Sequence, residues 1–132
     1  MTTATAESTA AVAEGLLALC RAGKFLEAVD RYYAPDIESI EPAGNEAMPA
    51  VMRGKDAVRG KNEWWLENHE VHRVEAVGPL VGTGSAADRF AVNYTFEATN
   101  KPSGRRFTMT EVALYTVKDG KIVREQFFYH AG

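Results

Sequence analysis

The sequence predicts an α+β fold in which helices pack on one face of an antiparallel sheet. Apolar residues recur at helical spacing in the first half of the chain, whereas the segments after His69 are long, β-branched and aromatic. The turn-forming sequences GTGSAAD, TNKPSG and KDG separate those later segments, and the Asp-Gly of KDG is a strong hairpin signal. The predicted order is therefore helix, helix, strand, helix and then four strands in a meander.

Two amphipathic helices are predicted at the start of the chain. The first covers residues 7–21, ends at Ala22-Gly23 and has an apolar stripe of Val12, Leu16, Leu19 and Cys20. The second ends before Pro35, and its apolar residues are Phe25, Ala28, Val29, Tyr32 and Tyr33. Residues 1–6 are small and polar, and we expect them to be flexible.

A short strand, a loop and a third helix follow. DIESIE, residues 36–41, predicts the strand, and PAGNEAMPAVMRG, with its prolines and glycines, predicts the loop. Because Met48, Val51 and Met52 are too apolar for a fully solvated loop, we expect this segment to cover another part of the molecule. Residues 54–69 predict the third helix, whose apolar residues are Val58, Trp64, Trp65 and Leu66.

Four strands complete the predicted sheet: VHRVEAVGPLV, DRFAVNYTFEAT, RRFTMTEVALYTV and KIVREQFFYH. They are long enough for the sheet to curl into a cone, with the helices lying across its open side. This arrangement encloses a conical hollow, which is where a binding site is expected.

Composition and charge argue against several classes of protein. The chain has 132 residues, 45% of them hydrophobic, which fits one domain, residues 1–132, with one core. Its net charge of −3 provides no basic surface for nucleic acid. We expect no signal peptide, no membrane span and no membrane partner, and therefore a cytoplasmic location. Cys20 lies in the apolar run GLLALC and predicts a buried thiol.

The acidic strand end DIESIEPAG is the first candidate site. Strand alternation places Ile37, Ser39 and Glu41 on one face, and Glu38 and Ile40 on the other. Since neither face is cleanly apolar, alternation leaves open whether Glu41 is a solvated strand end or a carboxylate that faces a cavity.

The last strand raises the same question for Glu125. Alternation places Val123, Glu125, Phe127 and Tyr129 on one face. If this face points into the cone, Glu125 lies among apolar side chains, where burial raises the pKa of a carboxyl group. The alternative is an outward Glu125 that pairs with an arginine or lysine of a neighbouring strand.

Two segments, YYAPDIESIEPAG after the first two helices and VKDGKIVREQFFY near the end, carry a resemblance to a known group of proteins. The chain resembles the nuclear transport factor 2-like superfamily over about residues 7–129, and within it the SnoaL-like proteins and the ketosteroid isomerases. The resemblance implies a cystatin-like α+β barrel, in which a cone-shaped curved antiparallel sheet wraps around three N-terminal helices. Because this superfamily contains isomerases, cyclases, dehydratases, epoxide hydrolases and non-enzymes, the resemblance implies no single reaction.

The resemblance to the ketosteroid isomerases implies roles for particular positions. Glu41 lies where that family has its general-base aspartate, which implies a carboxylate that points into the cone and moves a proton. The tyrosine of the family's oxyanion hole aligns with Leu16. The protonated aspartate that completes the hole aligns with Val112, or with Glu111 if the register slips by one. Without those donors, strict ketosteroid isomerase activity is not expected.

The same resemblance implies which side chains line the cone. It turns Glu125 inward and gives DRFAVNYTFEAT an inward face that includes Tyr94, whose hydroxyl can bond a ligand carbonyl or a glutamate. The candidate catalytic residues are therefore Glu41, Glu125 and Tyr94. The candidate pocket residues are Leu16, Tyr33, Trp65, Phe96, Val112, Phe127 and Tyr129. Core packing is the alternative for the aromatic residues.

Two other motifs do not predict a cofactor or metal. HEVH, residues 69–72, differs from the zinc-protease motif and has no third ligand at metal spacing. His72 is either a strand residue bonded to a neighbour or an acid–base group of the pocket. GTGSAA, residues 82–87, matches a loose dinucleotide fingerprint, but it joins two strands and no helix follows that could hold a pyrophosphate.

Two functional hypotheses follow. In the first, the protein is a cofactor-independent isomerase or cyclase for a small apolar carbonyl compound, polyketide-like or steroid-like, with Glu41 as base and Glu125 or Tyr94 as its partner. In the second, it is a non-catalytic ligand-binding or dimerisation module, with glutamates neutralised by arginine or lysine and a filled or closed cone. Apolar residues on both faces of RRFTMTEVALYTV predict a homodimer through the outer sheet face, as this superfamily often forms.

Overall fold

Three helices and six strands make up the computed structural model, which describes residues 7–130. In chain order they are α1 (Thr9–Arg21), α2 (Phe25–Tyr32), β1 (Tyr33–Ile40), β2 (Val51–Arg53), α3 (Lys55–Asn68), β3 (His69–Val81), β4 (Arg89–Asn100), β5 (Arg105–Lys118) and β6 (Lys121–Phe128). The prediction that residues 1–6 are flexible lies outside the described residues.

The strands form one curved, unclosed sheet in the order β2-β1-β6-β5-β4-β3. Neighbouring strands are antiparallel except for β1 and β6, which are parallel. The predicted α+β class, with helices on a curved sheet, is confirmed. The sheet is mixed rather than purely antiparallel. The chain between β1 and β6 is long and contains several elements, so the two strands can pair in the same direction, which a tight turn between them would not allow.

The local chemistry of the chain accounts for the boundaries of α1. Ser8 caps its start, since its hydroxyl accepts a hydrogen bond from the backbone N–H of Ala11 at 3.1 Å. At the other end Gly23 adopts a φ of 75°, which a residue with a Cβ atom rarely adopts. The apolar face of α1 packs on the sheet through Val12, Ala13, Leu16, Leu17 and Cys20, all of them buried.

The segment after α2 differs from the sequence prediction at two points. Tyr33 begins β1 instead of ending α2. Pro35 disfavours helical backbone at Ala34, the residue before it, so the helix ends shortly before that point. The predicted loop contains a short strand, β2, which pairs with the end of β1. Met52 of β2 packs against the core, so part of this segment covers the interior as expected.

A β-bulge changes which residues of β6 point inward. Val117 pairs with Ile122, whereas the preceding Thr116 pairs with Arg124, so Val123 is an extra residue in β6. Ile122 is therefore fully buried, and the prediction that Val123 lies on the inward face is corrected. Beyond the bulge, Glu125 lies on the inward face of β6, where it is 1% exposed.

The remaining connections agree with their sequence signals. Asp119 and Gly120 both have positive φ, as a tight Asp-Gly hairpin requires. The segment around a short 3-10 turn, Gly84–Ala86, joins β3 to β4, so GTGSAA connects two strands. No helix within residues 7–130 has the length and apolarity needed to span a bilayer.

Candidate active site

A partly open cavity lies between the inner face of the sheet and helices α2 and α3. Its volume is about 150 Å³. An apolar cavity of that size accommodates one benzene-sized ring. The lining is aromatic and aliphatic on one side and acidic on the other, and consists of Phe25, Glu41, Lys61, Asn62, Trp65, Leu66, Phe96, Met109, Glu111, Glu125 and Phe127.

Strand and helix periodicity explain why these side chains meet. Met109 and Glu111 are two residues apart on β5, and so are Glu125 and Phe127 on β6; each pair shares the inner face. On α3, a stripe at spacings of three and four residues faces the cavity. This stripe consists of Lys61, Asn62, Trp65 and Leu66.

Glu125 is a buried carboxyl group that receives two hydrogen bonds. It is 1% exposed, and the hydroxyl groups of Tyr33 and Ser39 donate to its two oxygens, the latter at 3.1 Å. Burial raises its pKa, and the positive charge of Lys61 and the two hydroxyl donors oppose that rise.

Lys61 brings a positive charge into the cavity. Its Nζ donates to Ser39 Oγ at 2.7 Å and to Glu41 Oε1 at 3.1 Å. The side chains of Lys61 and Glu41 are only 15% and 22% exposed, so this ion pair is partly shielded from water. Because an ammonium group has no acceptor, Ser39 must accept from Lys61 and donate its own hydrogen to Glu125.

Glu111 is the third acid of the cavity, and its surroundings differ from those of Glu41. Burial, together with the negative charges of Glu41 and Glu125, raises its pKa to about 8, whereas Lys61 acts in the opposite direction. At neutral pH the group is therefore mostly protonated. Within residues 7–130 its carboxyl group has no hydrogen-bond partner, so its O–H is available to a ligand.

The structure brings together five of the ten residues chosen from the sequence. The five cavity residues are Glu41, Glu125, Trp65, Phe96 and Phe127. Tyr33 lies beneath the cavity floor and bonds Glu125. Tyr129 is half-buried beside Glu41, whose negative charge adds to burial in raising the pKa of the Tyr129 hydroxyl.

The other three residues lie away from the cavity. Tyr94 faces inward but is buried deeper in the core, where its hydroxyl bonds that of Tyr115 at 2.9 Å. Leu16 is 1% exposed and belongs to the packing of α1 on the sheet. Val112 lies on the outer face of β5, because its neighbour Glu111 takes the inner face. The register alternative that places Glu111 at the acid position is therefore the one that the geometry supports.

Lys61 and Asn62 are cavity residues that the sequence reading missed. The signal was present, since Val58, Lys61, Asn62, Trp65 and Leu66 follow helical spacing along one stripe of α3. Of the two adjacent tryptophans, Trp65 lines the cavity and stacks on His69 at 4.2 Å between ring centroids. Trp64 is half-exposed.

The histidines and the cysteine lie outside the cavity lining. His72 bonds Thr99 of the neighbouring strand at 2.7 Å, the first of the two alternatives considered for it. Among residues 7–130, no group of three His, Cys, Asp or Glu side chains is arranged to hold a metal ion. Cys20 is a buried free thiol, and burial raises its pKa to about 11.

Comparisons with known proteins identify the family and agree with the fold. The SnoaL-like domain matches residues 7–129. A crystal structure from Mesorhizobium loti shares 42% sequence identity and a TM-score of 0.84, covering 93% of this chain and 100% of the other. That protein is described provisionally as a SnoaL-like polyketide cyclase, with the added words carbohydrate phosphatase.

More distant structures share the fold alone. One from Pseudomonas putida, provisionally a polyketide cyclase, has 15% identity and a TM-score of 0.73, covering 95% of this chain and 93% of that one. A protein of unknown function with a cystatin-like fold, from Xanthomonas campestris, has 19% identity and a TM-score of 0.71, covering 93% and 91%. Among proteins with curated functions, none matches the sequence significantly.

Proposed function

The chain belongs to the SnoaL-like family, and on that premise we propose that it is an isomerase- or cyclase-type enzyme that moves a proton on a small, mostly apolar carbonyl compound. One observation carries the proposal. Two of the three carboxyl groups in the cavity have opposite surroundings: Glu41 pairs with an ammonium group, whereas Glu111 is buried near other carboxylates. Such a pair can supply a base and an acid at the same pH.

In the proposed reaction Glu41 is the base and Glu111 the hydrogen-bond donor. The Glu41 carboxylate takes a proton from the carbon next to the ligand carbonyl, and the C–H electron pair forms a C=C bond. The carbonyl π electrons move to the oxygen, which accepts a hydrogen bond from the protonated Glu111. Return of the proton from Glu41 to a different carbon of a conjugated enolate completes an isomerisation. In a cyclisation the enolate carbon attacks a second carbonyl, and the alkoxide oxygen that this forms takes the proton from Glu41.

Glu125 supports this arrangement from the wall of the cavity. Its negative charge is one of the causes that raise the pKa of Glu111 and so keep that acid protonated. Glu125 is itself held by Tyr33 and Ser39. We therefore propose a positioning role for Glu125, and we replace Tyr94 as the partner of Glu41 by Glu111, because the Tyr94 hydroxyl bonds Tyr115 instead.

Cavity size restricts the substrate. A volume of about 150 Å³ encloses one ring. A polyketide-like or steroid-like compound would place its reacting ring inside and the rest of its length at the open side. The aromatic wall, with Phe25, Trp65, Phe96 and Phe127, suits a flat apolar ring.

Deuterium exchange tests the proposed proton transfer without knowledge of the natural product. Cyclohexanone and 2-tetralone are incubated with the protein in D₂O, and loss of the proton signal next to the carbonyl is followed by NMR. We expect exchange above the buffer rate, and a loss of about 10² to 10⁴ in the enzymatic rate for Glu41→Gln.

Glu46→Gln is the matched control, because Glu46 is exposed in the loop after β1. This variant is expected to exchange at the wild-type rate. If Glu41→Gln exchanged either ketone as fast as the wild type, Glu41 would not be the base.

A non-catalytic ligand-binding module is the second candidate, and Lys61 favours it. The lysine neutralises Glu41 and contacts Glu125 through Ser39, as that hypothesis expects, although the cavity is open rather than filled. It predicts saturable binding of the same ketones in thermal-shift measurements with no exchange above the buffer rate.

We propose that the protein forms a homodimer through the outer face of the sheet. Val77, Asn93, Val112 and Phe128 are successive cross-strand neighbours in one row across β3, β4, β5 and β6. All four are exposed, and Leu80 beside them is 76% exposed. A second copy placed about a twofold axis would cover this row with the same row. The cytoplasmic location and the absence of a cofactor stay predictions.

A further inference from the structure

We propose that the ammonium group of Lys61 binds the ligand oxygen that becomes negative, so that Lys61 and Glu111 together form the oxyanion site of this protein. The inference deepens the proposed function and rests on it. It adds a residue that the resemblance to the ketosteroid isomerases does not supply, and it identifies the ligand as a neutral compound whose carbonyl oxygen gains charge during the reaction.

Counting donors shows that Lys61 has a hydrogen bond to spare. An ammonium group carries three N–H bonds. Ser39 Oγ and Glu41 Oε1 accept two of them, at 2.7 and 3.1 Å. Within residues 7–130 the third N–H has no acceptor, although the side chain is only 15% exposed.

The space around that third N–H belongs to the cavity. Lys61 Nζ lies 5.6 Å from the centroid of the Phe127 ring, which is a cation–π contact and does not supply an acceptor atom for the third N–H. Both residues line the cavity, and so does Glu111. A ligand oxygen within hydrogen-bond distance of Nζ would therefore be inside the same ring-sized space that Glu111 faces.

The position of Lys61 also suits the movement of charge in the proposed reaction. Before proton transfer the negative charge is on Glu41, which Lys61 contacts directly. After transfer Glu41 is neutral and the charge is on the ligand oxygen. An ammonium group that contacts both Glu41 and the ligand oxygen has a negative partner before and after the proton transfer. The charge of Lys61 is therefore never unpaired in this partly dry cavity.

Surrounding charges favour a neutral ligand over a permanent anion. The acids that face Lys61 are Glu41, Glu111 and Glu125, and the Tyr129 hydroxyl lies beside Glu41. One ammonium group is thus already balanced by Glu41, and a ligand that arrives with a full negative charge would meet net repulsion. A ligand that acquires its charge as Glu41 loses one avoids this repulsion.

Ser39 holds Lys61 in place for this role. Its hydroxyl is fully buried and accepts from Lys61 while donating to Glu125, so the ammonium group is fixed by a residue of β1 that does not itself line the cavity. The long stem of Lys61 lets its ammonium group reach from α3 to Ser39 of β1.

Binding of 4-nitrophenol, whose ionised form is followed by its visible absorbance, tests the proposal. In Glu41→Gln the amide mimics the protonated base, so Lys61 is free to pair with a phenolate oxygen. We expect this variant to bind 4-nitrophenolate at least about tenfold more tightly than the wild type at pH 7. Nitrobenzene, which fills the same space without an oxyanion, should change less than about threefold.

The double variant Glu41→Gln/Lys61→Met removes the ion pair without leaving either charge alone. We expect it to lose the tenfold gain for 4-nitrophenolate and to keep its affinity for nitrobenzene. Glu41→Gln/Lys61→Gln repeats the test with a polar side chain. Glu41→Gln/Lys118→Met is the control, because Lys118 is exposed at the end of β5. Thermal denaturation of each variant checks that it is folded.

Three results would overturn the proposal. They are an absent gain in Glu41→Gln, a gain that persists in both Lys61 variants, and no binding of 4-nitrophenolate to Glu41→Gln. The proposed function fails by a different measurement, since the ketone exchange assay can give no signal while Lys61-dependent phenolate binding is still observed.

Discussion

Replacing Glu111 by glutamine should change how the stability of the protein depends on pH. In the folded chain burial and two neighbouring carboxylates raise the pKa of Glu111 from 4.5 to about 8. In the unfolded chain the group has its ordinary pKa. Between these two values the folded chain retains a proton that the unfolded chain has released, so raising the pH favours unfolding.

The size of the effect follows from the two pKa values. Below the unfolded value both states are protonated and the group has no effect, and above about pH 8 it destabilises the fold by about 5 kcal/mol. Between pH 5 and pH 9 the wild type should lose about 4 kcal/mol of unfolding free energy through this one group. This loss is a large part of the total free energy of unfolding of a small domain.

Glutamine keeps the shape of the protonated acid and does not titrate. The free energy of unfolding of Glu111→Gln relative to the wild type should therefore rise by about 4 kcal/mol from pH 5 to pH 9. Urea denaturation at unit steps of pH, at one protein concentration, measures this difference. Glu67→Gln, at an exposed position on α3, should follow the wild type at every pH. Parallel curves for Glu111→Gln and the wild type would show that Glu111 does not carry a proton in the folded cavity.

Two further outcomes are expected. Tyr94→Phe should keep ketone exchange at the wild-type rate. It should lower the free energy of unfolding, measured by urea denaturation, by about 1–3 kcal/mol, because the buried Tyr115 hydroxyl loses its partner. A large loss of exchange would restore Tyr94 as a catalytic candidate. Light scattering should give the wild type twice the chain mass of 14.5 kDa and Val112→Glu the mass of one chain. Thr83→Glu, at an exposed position, is the control and should be a dimer. A dimeric Val112→Glu would place the interface elsewhere.

The carboxylates on strands could be found from the sequence, because a period of two divides a strand into two faces. Glu41 and Glu125 were selected in this way, together with the resemblance to a known superfamily. Alternation failed at Val123, where a bulge inserts one residue. Val112 was chosen from the resemblance instead, and there a shift of one residue in the alignment exchanges the inner face of the strand for the outer face. Neither feature has a local signature in the sequence.

Lys61 was missed for a different reason. A lysine on a helix is normally a solvated residue, and only its place on the stripe with Val58, Trp65 and Leu66 indicates burial of its stem. Its function depends on Ser39 and Glu41, which belong to another part of the chain. The parallel pairing of β1 with β6 was likewise not predictable, because it depends on contacts between segments far apart in sequence.

The hydroxyl groups that hold Glu125 precede it by 92 and 86 residues in the chain. Because β6 lies between β1 and β5, a growing polypeptide exposes two unpaired sheet edges until this strand has been synthesised and inserted. Contacts of such long range make folding slow. Insertion of β6 also delivers the acid that Tyr33 and Ser39 require. The protein would thus acquire affinity for a ligand only when β6 is in place between β1 and β5.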